Sequence, residues 1–189
     1  MDPRIARTQA SLQHALLELA QERPFTDITV GDIAERAGVN RSSFYQHYAD
    51  KETLLADALD AIVEEVGMHV ETPMNDVRTP APAFVGFLEH VAAHADVYRW
   101  ALGGHGSAVV ADRLRARIES LARHHIDAAG EAAPFTDVPA EIYAAAIAGS
   151  GLGAMRAWLE REPLAPPKVA AVWIWRMLIG TVPLPATQD

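Results

Sequence analysis

The sequence predicts an all-α fold of about nine helices, a small helix-turn-helix head followed by a larger helical body. Three observations carry that expectation. Apolar residues recur at helical spacing along almost the whole chain. No Asn-Gly or Asp-Gly dipeptide separates alternating apolar runs, so no hairpin is signalled. Half of the 189 residues are hydrophobic, enough for a sizeable core.

A first helix begins at Pro3, where a missing amide costs nothing, and Ile5, Leu12, Leu16 and Leu19 mark its inner face. It ends near Arg23, because Pro24 disfavours helical geometry in the residue before it. Thr29 and Asp32 read as a capping box opening a short second helix. That helix turns Ile33, Ala34 and Ala37 inward and stops at Gly38. Asn40 caps a third helix of roughly two turns, which runs to Tyr48. Asp50 caps a long fourth helix carrying Leu54, Leu55, Leu59, Ile62, Val63 and Val66. Residues 71–83, "ETPMNDVRTPAPA", are polar with three prolines and read as a linker. Further helices are expected near 82–95, 96–102, 108–129, 139–161 and 167–181. The expected domains are 1–49 and 50–189, joined by the helix from Asp50.

Composition narrows the class of function. The absence of cysteine excludes a disulfide framework and thiolate chemistry, and fits a reducing compartment. The N-terminal "MDPRIARTQ" has no signal-peptide core. The longest apolar run, "IYAAAIAGSGLGAM", falls short of the about 20 residues that span a bilayer. A cytoplasmic protein without a membrane partner is expected. The net charge is −9, yet residues 1–51 hold six Lys/Arg against seven Asp/Glu, so the body carries the acidity. That balance disfavours sequence-blind adhesion to nucleic acid but leaves room for a local basic edge.

Such an edge lies within residues 29–48. Ala34 is small where a second helix must cross, Gly38 relieves the turn, and Val39 and Phe44 fill the wedge. With Phe44 inward, Arg41, Ser42, Ser43, Tyr45, Gln46 and His47 project outward. Arg pairs bidentately with guanine, Gln with adenine, and Ser with several base edges. Tyr, His and Lys are donors to the phosphate backbone, which fix register without reading sequence.

"FTDITVGDIAERAGVNRSSFYQHYADKETLL", Phe25 to Leu55, resembles the DNA-binding head of the tetracycline-repressor (TetR/AcrR) family of transcriptional regulators. "FYQHY", with a Lys after two further residues, is the specific part of that likeness. The resemblance implies an all-α homodimeric repressor bound to double-stranded operator DNA and released by a small-molecule effector. It places DNA contacts on Thr29, Arg41, Ser42, Ser43, Tyr45, Gln46, His47 and Lys51. Gly31 departs from the family, which often has a longer residue there, so that side makes fewer phosphate contacts.

In the body, Ala145, Gly149, Gly153 and Ala157 recur every fourth residue, a smooth stripe for close helix approach. The final helix, "VAAVWIWRMLIG", is apolar on nearly all sides and needs cover on every face. These two helices resemble the family's dimerising pair, so the expected interface adds Val172, Trp173, Arg176 and Ile179. By the same resemblance an apolar or amphipathic effector meets Met68, Phe84, Phe87, Leu88, Val91, Tyr98, Trp100, Leu114, Ile118 and Tyr143. Aromatic and Met residues at this spacing also read as plain core.

No catalytic residue, cofactor or metal site is expected. His90 and His94 stand four apart on one helix, but no third ligand is evident. "GSGLG" at 149–153 falls inside a helix and makes no phosphate loop. A small all-α enzyme, or an adaptor using the head for protein contact, are the competing readings.

Overall fold

The computed structural model describes residues 3–68, 79–104, 106–132 and 137–179, apart from the side chains of Met68, Ala132 and Ile179. Nine α-helices and no strand occur among them: α1 (Pro3–Glu22), α2 (Val30–Arg36), α3 (Arg41–His47), α4 (Lys51–Met68), α5 (Pro82–Ala93), α6 (Ala95–Leu102), α7 (Ala108–Ala129), α8 (Ala140–Leu159) and α9 (Pro167–Ile179). A single 3₁₀ turn, Phe25–Asp27, joins α1 to α2. Most of the expected linker, residues 71–78, lies outside the described residues.

By internal contacts the chain divides into two units. The first comprises Met1–Ile62 and Val91–Leu114, the second Val63–His90 and Arg115–Asp189. This differs from the expected division at 49/50. Polar and aromatic contacts within the first unit explain the difference. Arg113 donates to Asp57 at 2.7 Å, Gln21 bonds His94 at 2.9 Å, and Phe25 lies 4.3 Å from Trp100, centroid to centroid. These ties bring α6 and the start of α7 into the same unit as α1–α3.

The first unit's core is built from Leu12, Leu16 and Leu19 of α1, Ile28 and Ile33, Phe44, and Leu54, Leu55 and Leu59 of α4. Ile5, expected on the inner face, is exposed. Burial on α1 begins only at Leu12, so the first two turns run past the core. In the second unit α8 packs on α9. Ala144, Ala148, Met155, Trp158 and Leu159 are buried on one helix, Ala170, Ala171, Ile174 and Trp175 on the other. Trp158 Nε1 donates to the Ala165 carbonyl at 2.9 Å and pins the connection between them.

Candidate nucleic-acid interface

Local chemistry sets both helices of the head's two-helix motif. At the start of α2, the Asp32 amide donates to Thr29 Oγ1 at 3.2 Å and the Thr29 amide donates to Asp32 Oδ2 at 2.8 Å. This reciprocal box satisfies two amides the helix leaves open. At its end Gly38 has φ +68°, a left-handed conformation that favours glycine. The Gly38 amide donates to Glu35 O and the Val39 amide to Ala34 O, closing a Schellman motif. Asn40 then caps α3, its Oδ1 accepting from the Ser43 amide at 2.7 Å.

The orientation of α3 follows from one residue. Phe44 is fully buried, with ring centroids of Tyr45 and Tyr48 5.5 and 5.9 Å away. Arg41, Ser42, Tyr45 and Gln46 are consequently exposed, while Ser43 and His47 are half-buried. The structure thus brings six of the eight expected contact residues onto one short helix.

Hydrogen bonding changes what some of them can offer. Asn40 Oδ1 accepts from both serine hydroxyls, Ser42 at 2.6 Å and Ser43 at 3.0 Å. With their protons turned inward, these hydroxyls present lone pairs to the outside. The sequence marks Asn40 only as a cap; its spacing to Ser42 and Ser43 is the signal for this second role. Thr29 spends its amide and its hydroxyl proton on Asp32 Oδ2, the latter at 2.7 Å. Arg23 reaches the same oxygen at 2.9 Å. The Thr29 side-chain and backbone bonds, together with Arg23, hold the Asp32 carboxyl below the usual range.

Lys51 departs furthest from expectation. Its ammonium donates to the carbonyls of Phe25 at 2.8 Å, Thr26 at 3.2 Å and Ile28 at 2.8 Å, and lies 4.6 Å from the Phe25 ring centroid. An ammonium has three protons, and all three are taken. In this structure the expected phosphate donor is bonded to backbone carbonyls of its own chain.

A second polar group, unmarked by any local motif, anchors the end of α3. Tyr48 donates to Asp57 Oδ2 at 2.7 Å, and Gln13 donates to the same oxygen at 2.9 Å. Arg113 binds Asp57 Oδ1 at 2.7 Å and Asp60 Oδ2 at 2.5 Å. Burial, then the neighbouring Asp57 carboxylate, pushes the Tyr48 hydroxyl well above its ordinary range.

The expected effector residues fall in both units. Val91, Tyr98 and Leu114 are buried in the first, where the half-buried Trp100 rests on Phe25. In the second, Phe87 and Leu88 are buried while Phe84, Ile118 and Tyr143 are half-buried. Phe84 packs on Trp175 at 5.5 Å, and burial raises the Tyr143 hydroxyl. Met68, in its side chain, lies outside the described residues, as does Ile179 of the expected interface. Of the other interface residues, Ala145, Gly149, Gly153, Ala157, Trp173 and Arg176 are exposed and Val172 is half-buried. Among the described residues, no three His, Cys, Asp or Glu side chains converge as a metal site would require. Among the described residues, no helix is long and apolar enough to cross a membrane.

Comparison with known proteins agrees with this geometry. Residues 12–58 match the model of bacterial regulatory proteins of the tetR family, and residues 78–180 match a transcriptional regulator C-terminal region. An uncharacterised helix-turn-helix regulator of Bacillus subtilis, YxbF, is 37% identical over 71 residues, 37% of this chain and 19% of that protein. The regulator EthR of Mycobacterium tuberculosis is 39% identical over 54 residues, 29% of this chain and 25% of its own length. The matched segment thus spans a quarter or less of either relative. Among solved structures, Thermus thermophilus FadR, a TetR-family repressor in complex with lauroyl-CoA, superposes with a TM-score of 0.65 at 20% identity, covering 96% of this chain and 98% of that one. RolR in complex with resorcinol gives 0.60 at 21% identity, covering 98% and 92%. A buried Phe44 beneath an exposed polar helix, the head's family match and the match along the body all lead to one assignment: the chain belongs to the TetR family of transcriptional regulators.

Proposed function

We propose that the chain is a homodimeric repressor that binds operator DNA through α3 and leaves it when a small apolar or amphipathic effector occupies the C-terminal domain. The observation that carries the DNA reading is the pairing of a fully buried Phe44 with exposed Arg41, Ser42, Tyr45 and Gln46. Arg41 and Gln46 read base edges; Tyr45 and His47 hold phosphates. Self-association rests on the α8 and α9 surface. Ile142 is 60% exposed and Trp173 46%, beside Val169 and Met177. A Cβ added at Gly149 or Gly153 would meet nothing within 4 Å, so nothing inside the subunit requires those glycines. A second copy of the helix pair accounts for both features.

Effector release follows by extension from two solved relatives, one carrying lauroyl-CoA and one resorcinol. Binding would favour a separation of the two heads that no longer matches major grooves about 34–36 Å apart. Incubating the protein with randomised duplexes and sequencing the retained fraction tests the reading. Enrichment of a palindrome with half-sites one helical turn or a multiple apart is expected. Retention without enrichment, or none at all, overturns it.

A further inference from the structure

We infer that Lys51 is a positioning residue of the DNA-binding head, caging the turn between α1 and α2 rather than holding a phosphate. The inference rests on the head's role in binding DNA. Phe25, Thr26 and Ile28 belong to the connection that delivers the chain into the α2 capping box. Three carbonyls of this connection converge on one ammonium at 2.8, 3.2 and 2.8 Å, and the Phe25 oxygen accepts from the Ile28 amide at 3.2 Å as well. The Phe25 ring floors the cage, with the charge 4.6 Å from its centroid. On Phe25 in turn rests Trp100 of α6. Lys51 is the first residue of α4. One side chain therefore fixes the start of α4 to the turn that sets the angle of α2, and α2 carries α3.

The surrounding charges agree with an internal role. Arg23 is spent on Asp32, and Arg36 on Glu22 and Glu18. Thr29, the other donor expected at this corner, is bound to Asp32. The corner is bonded to itself, and the DNA-directed donors lie on α3.

Two kinds of contact predict different salt behaviour. A phosphate ligand contributes about 0.9 to the slope of log K against log salt. A positioning residue changes the fraction of heads that are competent, which scales affinity equally at every salt concentration. Shape distinguishes them again. Arg binds phosphate at least as well as Lys, but a planar guanidinium does not fit a compact three-carbonyl cage.

The test measures binding of the selected duplex by the full chain from low to moderate salt, for wild type, Lys51→Met and Lys51→Arg. Both variants are expected to weaken binding roughly tenfold at each salt concentration with the slope unchanged, as when about one dimer in ten has both heads competent. A slope flattened by about 0.9 in Lys51→Met, with Lys51→Arg restored to wild type, overturns the inference. Should either variant fail to fold, the wild-type ammonium still decides. Its ¹⁵N-detected NH₃⁺ protons are expected to be slow to exchange in the free protein and unmoved by DNA. Rapid exchange that becomes protected only on adding duplex refutes the cage. The free-protein measurement stands even if no duplex is ever selected.

Discussion

The guanidinium of Arg41 lies against Tyr45, donating to its phenol oxygen at 3.3 Å with Cζ 5.7 Å from the ring centroid. The two residues are one helical turn apart on α3, both exposed while Phe44 is buried. Tyr45 thereby holds the longest side chain of the reading face in a defined direction before DNA arrives. Replacing Arg41 with Ala should relax discrimination at one base pair by about 1–3 kcal/mol while leaving other positions unchanged. Competition with a panel of singly substituted duplexes measures this. Equal losses on every sequence would contradict a base-reading role. Tyr45→Phe keeps the ring but loses both the bond from Arg41 and the hydroxyl proposed to hold a phosphate, so a deficit in DNA binding of about 1.5–3 kcal/mol is expected on every sequence.

Gly38 offers a test of the turn itself. Nothing lies within 4 Å of a Cβ placed there, so space is no obstacle to a side chain. Its φ of +68° is the obstacle. Gly38→Ala should destabilise the protein by about 1–2 kcal/mol, and Gly38→Asn by less, because Asn tolerates the left-handed region. Denaturant midpoints for the three proteins settle the order. An Ala variant as stable as wild type would mean the turn relaxes out of the left-handed conformation.

These local devices could be read from the sequence because their partners are close along the chain. Thr29 finds Asp32, Asn40 finds Ser43, and Gly38 stands between two helices whose inward residues are evident from spacing. The carbonyls around Lys51 lie 23 to 26 residues away, and backbone oxygens carry no sequence identity. Asp57 and Arg113 are separated by 56 residues. Both look like solvated helix-surface charges until the chain is folded. Ile5 shows the opposite error, since periodicity marks a face but does not say how far along the helix that face is covered.

Asp32 gives the head a pH dependence of predictable sign. Its folded carboxyl binds protons more weakly than in the unfolded chain, because Thr29 and Arg23 prefer the charged form. A depressed carboxylate contributes stability above its unfolded value, about 3.9, and loses it as pH falls through the folded value. Wild type should therefore exceed Asp32→Asn in unfolding temperature near neutral pH. The gap should close below about pH 4. A gap that stays constant on acidification would show that the cap works without its charge.

The assembly reading stands or falls at Gly149. A mid-helix glycine costs about 0.8–1 kcal/mol relative to alanine, and α8 carries three of them, Gly149, Gly151 and Gly153. Within the subunit a Cβ at Gly149 touches nothing, so Gly149→Leu should fold at least as well as wild type. Leucine there would nevertheless fill the smooth stripe formed with Ala145, Gly153 and Ala157, and would hold a second helix away. The expected outcome is a folded monomer, with light scattering giving the mass of one chain and circular dichroism an unchanged helical signal. DNA affinity should fall with it, because two linked heads bind a palindrome far more tightly than one. A Gly149→Leu protein that stays dimeric would place the interface on another surface, with the exposed Trp173 of α9 the next residue to change.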